Sequence, residues 1–111
     1  GFYKMKSAKA EANIAKYNLE EAKEKVELQV NQAKFKFKEA EKRYSLASKN
    51  LEKADENLRY ATLSFKEGVI PTINVLEAQT AWFMAQSNKI DSQIDIKLSE
   101  VYLRKTLGIL K

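Results

Sequence analysis

The sequence predicts an all-α fold: a long antiparallel helical hairpin of coiled-coil type, with one helix about twice as long as the other. Three observations carry this. Apolar residues recur every three or four positions over almost the whole chain. The 111 residues include one Pro and three Gly, too few to punctuate many short strands. Charged residues make up 32% of the chain, the balance of solvent-bathed helices rather than of a thick core.

The first helix is predicted over about residues 3–67. Its apolar row is Met5, Ala8, Ala12, Ala15, Leu19, Ala22, Val26, Val30, Ala33, Phe37, Ala40, Tyr44, Ala47, Leu51, Ala54, Leu58, Ala61 and Phe65, and every interval is three or four residues. No Gly or Pro falls between residues 2 and 67, so the helix runs unbroken for roughly 90–100 Å at 1.5 Å per residue. Ala recurs every seventh residue at Ala8, Ala15 and Ala22, and again from Ala33 to Ala61. Small residues at one seam position let two helix axes approach closely. The Ala register slips by four between Ala22 and Ala33, a stutter that predicts a change of twist near Val26–Val30. Apolar residues off the row (Ile14, Tyr17, Leu28, Phe35, Leu46, Tyr60 and Leu63) predict a second contact face.

A turn is predicted over residues 68–72. Gly68 suits the left-handed conformation that closes a helix, and Pro71 cannot continue one. Thr72 is placed as N-cap of the second helix, with Pro71 and Leu76 as a hydrophobic staple. That helix is predicted over about residues 73–107, stopping at Gly108. Its seam is read as Leu76, Thr80, Phe83, Ser87, Ile90, Ile94, Leu98 and Val101, with Val75, Ala78, Trp82 and Ala85 as a flanking row. Folded back, it covers the first helix only to about Lys36–Gln29. Residues 2–28 then carry an apolar row without a partner, which predicts that the isolated chain self-associates.

The residue inventory excludes much chemistry. With no His and no Cys, zinc sites, thiol nucleophiles, His general bases and disulfides are absent. No catalytic, cofactor-binding or metal-ligating residues are assigned, and no enzyme is expected: the polar side chains are strung along rods with no pocket to desolvate them. The longest apolar run, Ala81–Ala85, falls far short of the roughly 18–20 residues of a membrane span. No signal-peptide pattern opens the chain, which reads as a piece of a longer protein. The net charge of +5 comes from residues 1–66, with 15 basic and 10 acidic residues; residues 67–111 hold five of each. The signs are interspersed, and Glu21–Lys25, Glu39–Arg43 and Asp55–Arg59 stand at i,i+4, so a solvated helix face is favoured over a nucleic-acid or lipid surface. Trp82 is expected between the helices rather than as a stacking platform.

The stretch Phe65-Lys66-Glu67-Gly68-Val69-Ile70-Pro71-Thr72-Ile73-Asn74-Val75-Leu76-Glu77-Ala78-Gln79 resembles the outer membrane efflux protein family, the TolC-like exit ducts. The closing Leu107-Gly108-Ile109-Leu110 is similar to the family's Leu-Gly-x-Leu ending. The resemblance covers essentially the whole chain and implies a homotrimer with a β-barrel in the outer membrane and an α-helical tunnel across the periplasm. This chain would be one periplasmic hairpin of it, and any membrane contact would lie in segments outside the chain. It further implies that the tip turn (Gly68, Val69, Ile70, Pro71 and Thr72) meets a periplasmic adaptor working with an inner-membrane pump. On the residues alone, Gly68 and Pro71 serve equally well merely to make the turn. The family's tip carboxylates, three apart on the second helix, map to Asn74 and Glu77, so these are the pore-constriction candidates, with only Glu77 charged. Phe65 and Ile70 stand where a gating Tyr and Arg occur in some members, so a polar latch of that kind is not expected. Two other readings stay open: the helical hairpin of the adaptor itself, whose arms are more equal in length, and a generic coiled-coil scaffold.

Overall fold

A computed structural model describes residues 1–110, with side-chain surroundings as far as residue 108. Two helices make up the fold: α1 spans Phe2–Lys66 and α2 spans Thr72–Leu110, 65 and 39 residues long. They fold into a rod of 100 × 20 × 13 Å. The long dimension is α1 itself, since 65 residues rising 1.5 Å each give about 97 Å. The radius of gyration is 27.2 Å, where a compact chain of this length would show about 13 Å. Accessible surface is 9162 Å², against about 6,200 Å² for a compact monomer of 12.7 kDa. The hairpin therefore leaves on the order of 3,000 Å² uncovered that a self-sufficient domain would bury.

α2 extends past its expected end because Gly108 does not break it. The only left-handed glycine is Gly68, and Gly108 stays in helical backbone. A Gly inside a helix costs about 1 kcal/mol relative to Ala, too little to stop a helix with α1 beside it. Ile109 and Leu110, the end of the Leu-Gly-x-Leu element, lie outside the described side chains.

On α1 the expected row packs as read from Val26 to Ala61: each of its members is buried or half-buried. At the turn the row shifts by one, and Ser64 is buried while Phe65 is exposed. From Phe2 to Lys25 every residue is exposed, as the shorter α2 requires. The predicted second face is present, with Ile14, Tyr17, Leu28, Phe35, Leu46, Tyr60 and Leu63 all exposed.

α2 corrects the sequence reading. Its expected seam is exposed: Leu76, Phe83, Ile90, Ile94, Leu98 and Val101 all face away from α1. The row that packs is the one read as flanking, continued to the end of the helix. It alternates Val75, Trp82, Lys89, Ile96 and Leu103 with Ala78, Ala85, Ser92, Ser99 and Thr106, each buried or half-buried. The second set is small throughout. Ser92 and Thr106 also turn their hydroxyls back onto their own helix, donating to the carbonyls of Asn88 (2.7 Å) and Leu103 (2.9 Å), so they pack like alanine.

Two cross-helix contacts fix the register. Trp82 Nε1–H donates to Asp55 Oδ1, and the Lys36 ammonium sits 5.7 Å from the Tyr102 ring centroid. Between these contacts α1 spans 19 residues and α2 spans 20, so the helices run antiparallel without slippage. In this register the small positions share levels: Ala33 with Thr106, Ala40 with Ser99, Ala47 with Ser92, Ala54 with Ala85, and Ala61 with Ala78. Large residues fill the layers between, Tyr44 level with Ile96 and Leu58 with Trp82. Ala33 and Ala40 are wholly buried, as suits small residues placed where helix axes approach closely.

Among the described residues the ion pairs are Glu39–Lys42 (3.5 Å), Lys97–Glu100 (3.8 Å) and Glu100–Arg104 (2.7 Å). The expected pairs Glu21–Lys25, Glu39–Arg43 and Asp55–Arg59 do not close within 4 Å; Asp55 instead accepts from Trp82. Exposed pairs of this kind contribute little, and the rod stands on its layered seam.

Candidate functional site

The tip is built by a backbone motif that the sequence specifies. After α1, Glu67 caps with φ −85° and ψ 0°. Gly68 turns to φ +74°. Its N–H reaches the carbonyl of Phe65 (3.0 Å), and the N–H of Val69 reaches that of Ser64 (2.9 Å). These paired bonds are the Schellman closure, which satisfies carbonyls the helix end would leave open. A Cβ at Gly68 would meet nothing within 4 Å, so glycine is required there by dihedral angle alone.

Beyond this point the chain is pinned. Pro71 precedes the first helical residue, Thr72, and its carbonyl accepts from the N–H of Asn74 at 3.1 Å. Thr72 is therefore inside the helix rather than its cap. The staple positions move back by one accordingly, to Ile70 and Val75, both half-buried, while Leu76 is exposed. Val69 and Ile70 part company: Val69 is 72% exposed at the apex, whereas Ile70 folds back over a groove lined with Asn57, Tyr60, Asn74 and Glu77. The tip thus presents one apolar side chain on a backbone fixed by hydrogen bonds on one side and proline on the other.

Asn74 and Glu77 are exposed on the first two turns of α2 and share that groove with Tyr60 of α1. Further from the tip, Trp82 is half-buried in the seam as expected, with its N–H held by Asp55 and Phe83 edge-on to its ring at 5.3 Å.

The outer face of α2 was missed as an interface because the sequence reading assigned it to the inner seam. Ile73, Leu76, Phe83, Ile90, Ile94, Leu98 and Val101 make a stripe along nearly the whole helix, with Phe83 63% exposed. An exposed apolar stripe of this length marks a contact surface. No helix among the described residues is long and apolar enough to cross a membrane.

The hairpin is thus a rod closed by a glycine turn, with a shorter return helix and an uncovered apolar stripe. The family model for the outer membrane efflux protein matches residues 4–109. The chain belongs to the outer membrane efflux protein family. No curated protein and no solved structure matches it. Membership makes the chain a component of an outer membrane efflux channel, from a family of transport channels rather than enzymes. Members generally form trimers and work with an adaptor and an inner-membrane pump.

Proposed function

We propose that the chain is a periplasmic hairpin of a TolC-like exit duct: it forms part of the wall of an α-barrel tunnel and docks a periplasmic adaptor through its tip. The duct is a passive conduit, assembled as a homotrimer in the full-length protein and driven by the inner-membrane partner. The observation that carries the tunnel role is the stripe on α2. A helix in a cylindrical wall needs one neighbour on each side. α2 meets α1 through its small row and offers a second apolar row on the opposite face. Unequal arms of 65 and 39 residues favour this over an adaptor hairpin. Taken alone, the chain self-associates through the same stripe.

Docking rests on the tip. Val69 supplies an apolar anchor, Gly68 and Pro71 fix its presentation, and Ile70 and Thr72 complete the contact turn. Ordering costs on binding are small because the turn is already fixed. Asn74 and Glu77 face the tunnel mouth, where three Glu77 carboxylates favour cations over anions.

Val69→Asp and Gly68→Val in the full-length protein test the docking role. Export and tip-to-adaptor crosslinking are expected to fall at least tenfold while trimer assembly stays intact. Undiminished export together with undiminished crosslinking rejects the docking role.

A further inference from the structure

The packed row of α2 has one break. Between Trp82 and Ile96 it offers Ala85, Lys89 and Ser92, so no large apolar side chain of α2 enters the seam for about 21 Å. Lys89 takes the large position. It is half-buried and level with Ser48 of α1 in the register set by Trp82–Asp55 and Lys36–Tyr102. A lysine at a seam position costs stability. Among the described residues its ammonium closes no ion pair within 4 Å. The hydroxyl of Ser48, shut away from solvent, has no hydrogen-bond partner. An unpaired buried hydroxyl beside a charged side chain is a weak layer between two apolar ones.

The backbone weakens at the same level. Ser45, Ser48 and Asn50 of α1 stand level with Ser87, Asn88, Asp91 and Ser92 of α2. Ser, Asn and Asp favour non-helical backbone, because their side chains compete for its hydrogen bonds. Ser92 already does so, donating to the carbonyl of Asn88 in a bond of the kind that bends helices. On either side one arm backs the other. Toward the open end, residues 33–44 of α1 hold no Ser, Thr, Asn, Asp or Gly; toward the tip, residues 75–86 of α2 hold only Thr80 of these. At the Lys89 layer both helices are weak together.

We infer that residues 45–51 of α1 and 87–92 of α2 form a joint, at which the seam opens locally and the tip section swings as one piece against the rest of the rod. The joint lies about 26 Å along α2 from Thr72. Layers on its tip side, with Leu58 level with Trp82 and Ala61 with Ala78, keep the swinging piece rigid. The inference rests on the two helices alone and stands or falls apart from the tunnel reading.

Amide hydrogen exchange in the dilute chain tests it. Amides of residues 47–51 and 88–92 are expected to exchange about tenfold faster than those of 54–61 and 78–85 on the tip side, and than those of 37–44 and 96–100 on the other. Lys89→Leu with Ser48→Ala makes the layer apolar. This pair is expected to slow exchange at the joint about tenfold and to raise the urea midpoint, whereas Lys49→Leu, exposed at the same level, should do neither. The chain lacks Cys, so spin labels at Lys38→Cys and Arg59→Cys report the swing directly. Their distance distribution is expected to be broad and to narrow in the apolar variant. Exchange at the joint no faster than at its flanks, no slowing in the apolar variant, equal slowing by Lys49→Leu, or a label distribution that does not narrow would each overturn the inference.

Discussion

Single residues decide the tip. Gly68 is needed for a dihedral angle rather than for space, so Gly68→Ala should lower hairpin stability by about 1–2 kcal/mol, and Gly68→Asn by less, in urea unfolding followed by circular dichroism. Gly108 is the opposite case: it is helical with open space at its Cβ, and Gly108→Ala should stabilise by up to about 1 kcal/mol. The sequence reading treated both as helix ends because composition does not distinguish a glycine placed for a turn from one tolerated within a helix. Pro71 three residues after Gly68 was the signal that separated them, and Gly108 has no such follower. Trp82→Phe removes the N–H that Asp55 accepts and should cost about 1 kcal/mol, read against Asp55→Ala in a double-mutant cycle.

At the scale of the helix, the rule that the most apolar row faces the partner held for α1 and failed for α2. On α1 the Ala-and-large row is both the most regular and the buried one. On α2 the buried row includes Lys89, Ser92 and Ser99, while the outer row includes Phe83, Ile90 and Ile94. The difference is physical. α1 demands small residues where its alanines bring the backbones close, and the greasier row of α2 remains for another neighbour. Heptad spacing alone was silent on this; matching small residues between the two helices would have found it, since Ala78, Ala85, Ser92, Ser99 and Thr106 keep the seven-residue step of Ala33 to Ala61. Overpacking one of these layers tests the account. Ala40→Leu should cost about 1–3 kcal/mol, whereas Leu46→Ala on the exposed face should change hairpin stability by less than about 0.5 kcal/mol.

Across the whole molecule, the surface left bare is the functional statement. Phe83→Lys with Ile90→Lys should leave the helix content of the chain unchanged and abolish its self-association in sedimentation equilibrium; in the full-length protein the same pair should block assembly. The proposed tip contact and the proposed constriction at Asn74 and Glu77 rest on the resemblance, because a turn motif states how the chain bends and not what it touches. The layered seam has a mechanical result. To slide α2 along α1 by less than a full heptad, about 10 Å, would drive large side chains onto large ones and open gaps beside the alanines. The two arms therefore cannot shear past one another. A push delivered at Val69 would therefore pass along the rod as bending or rigid rotation of the whole hairpin, with no telescoping of one arm on the other.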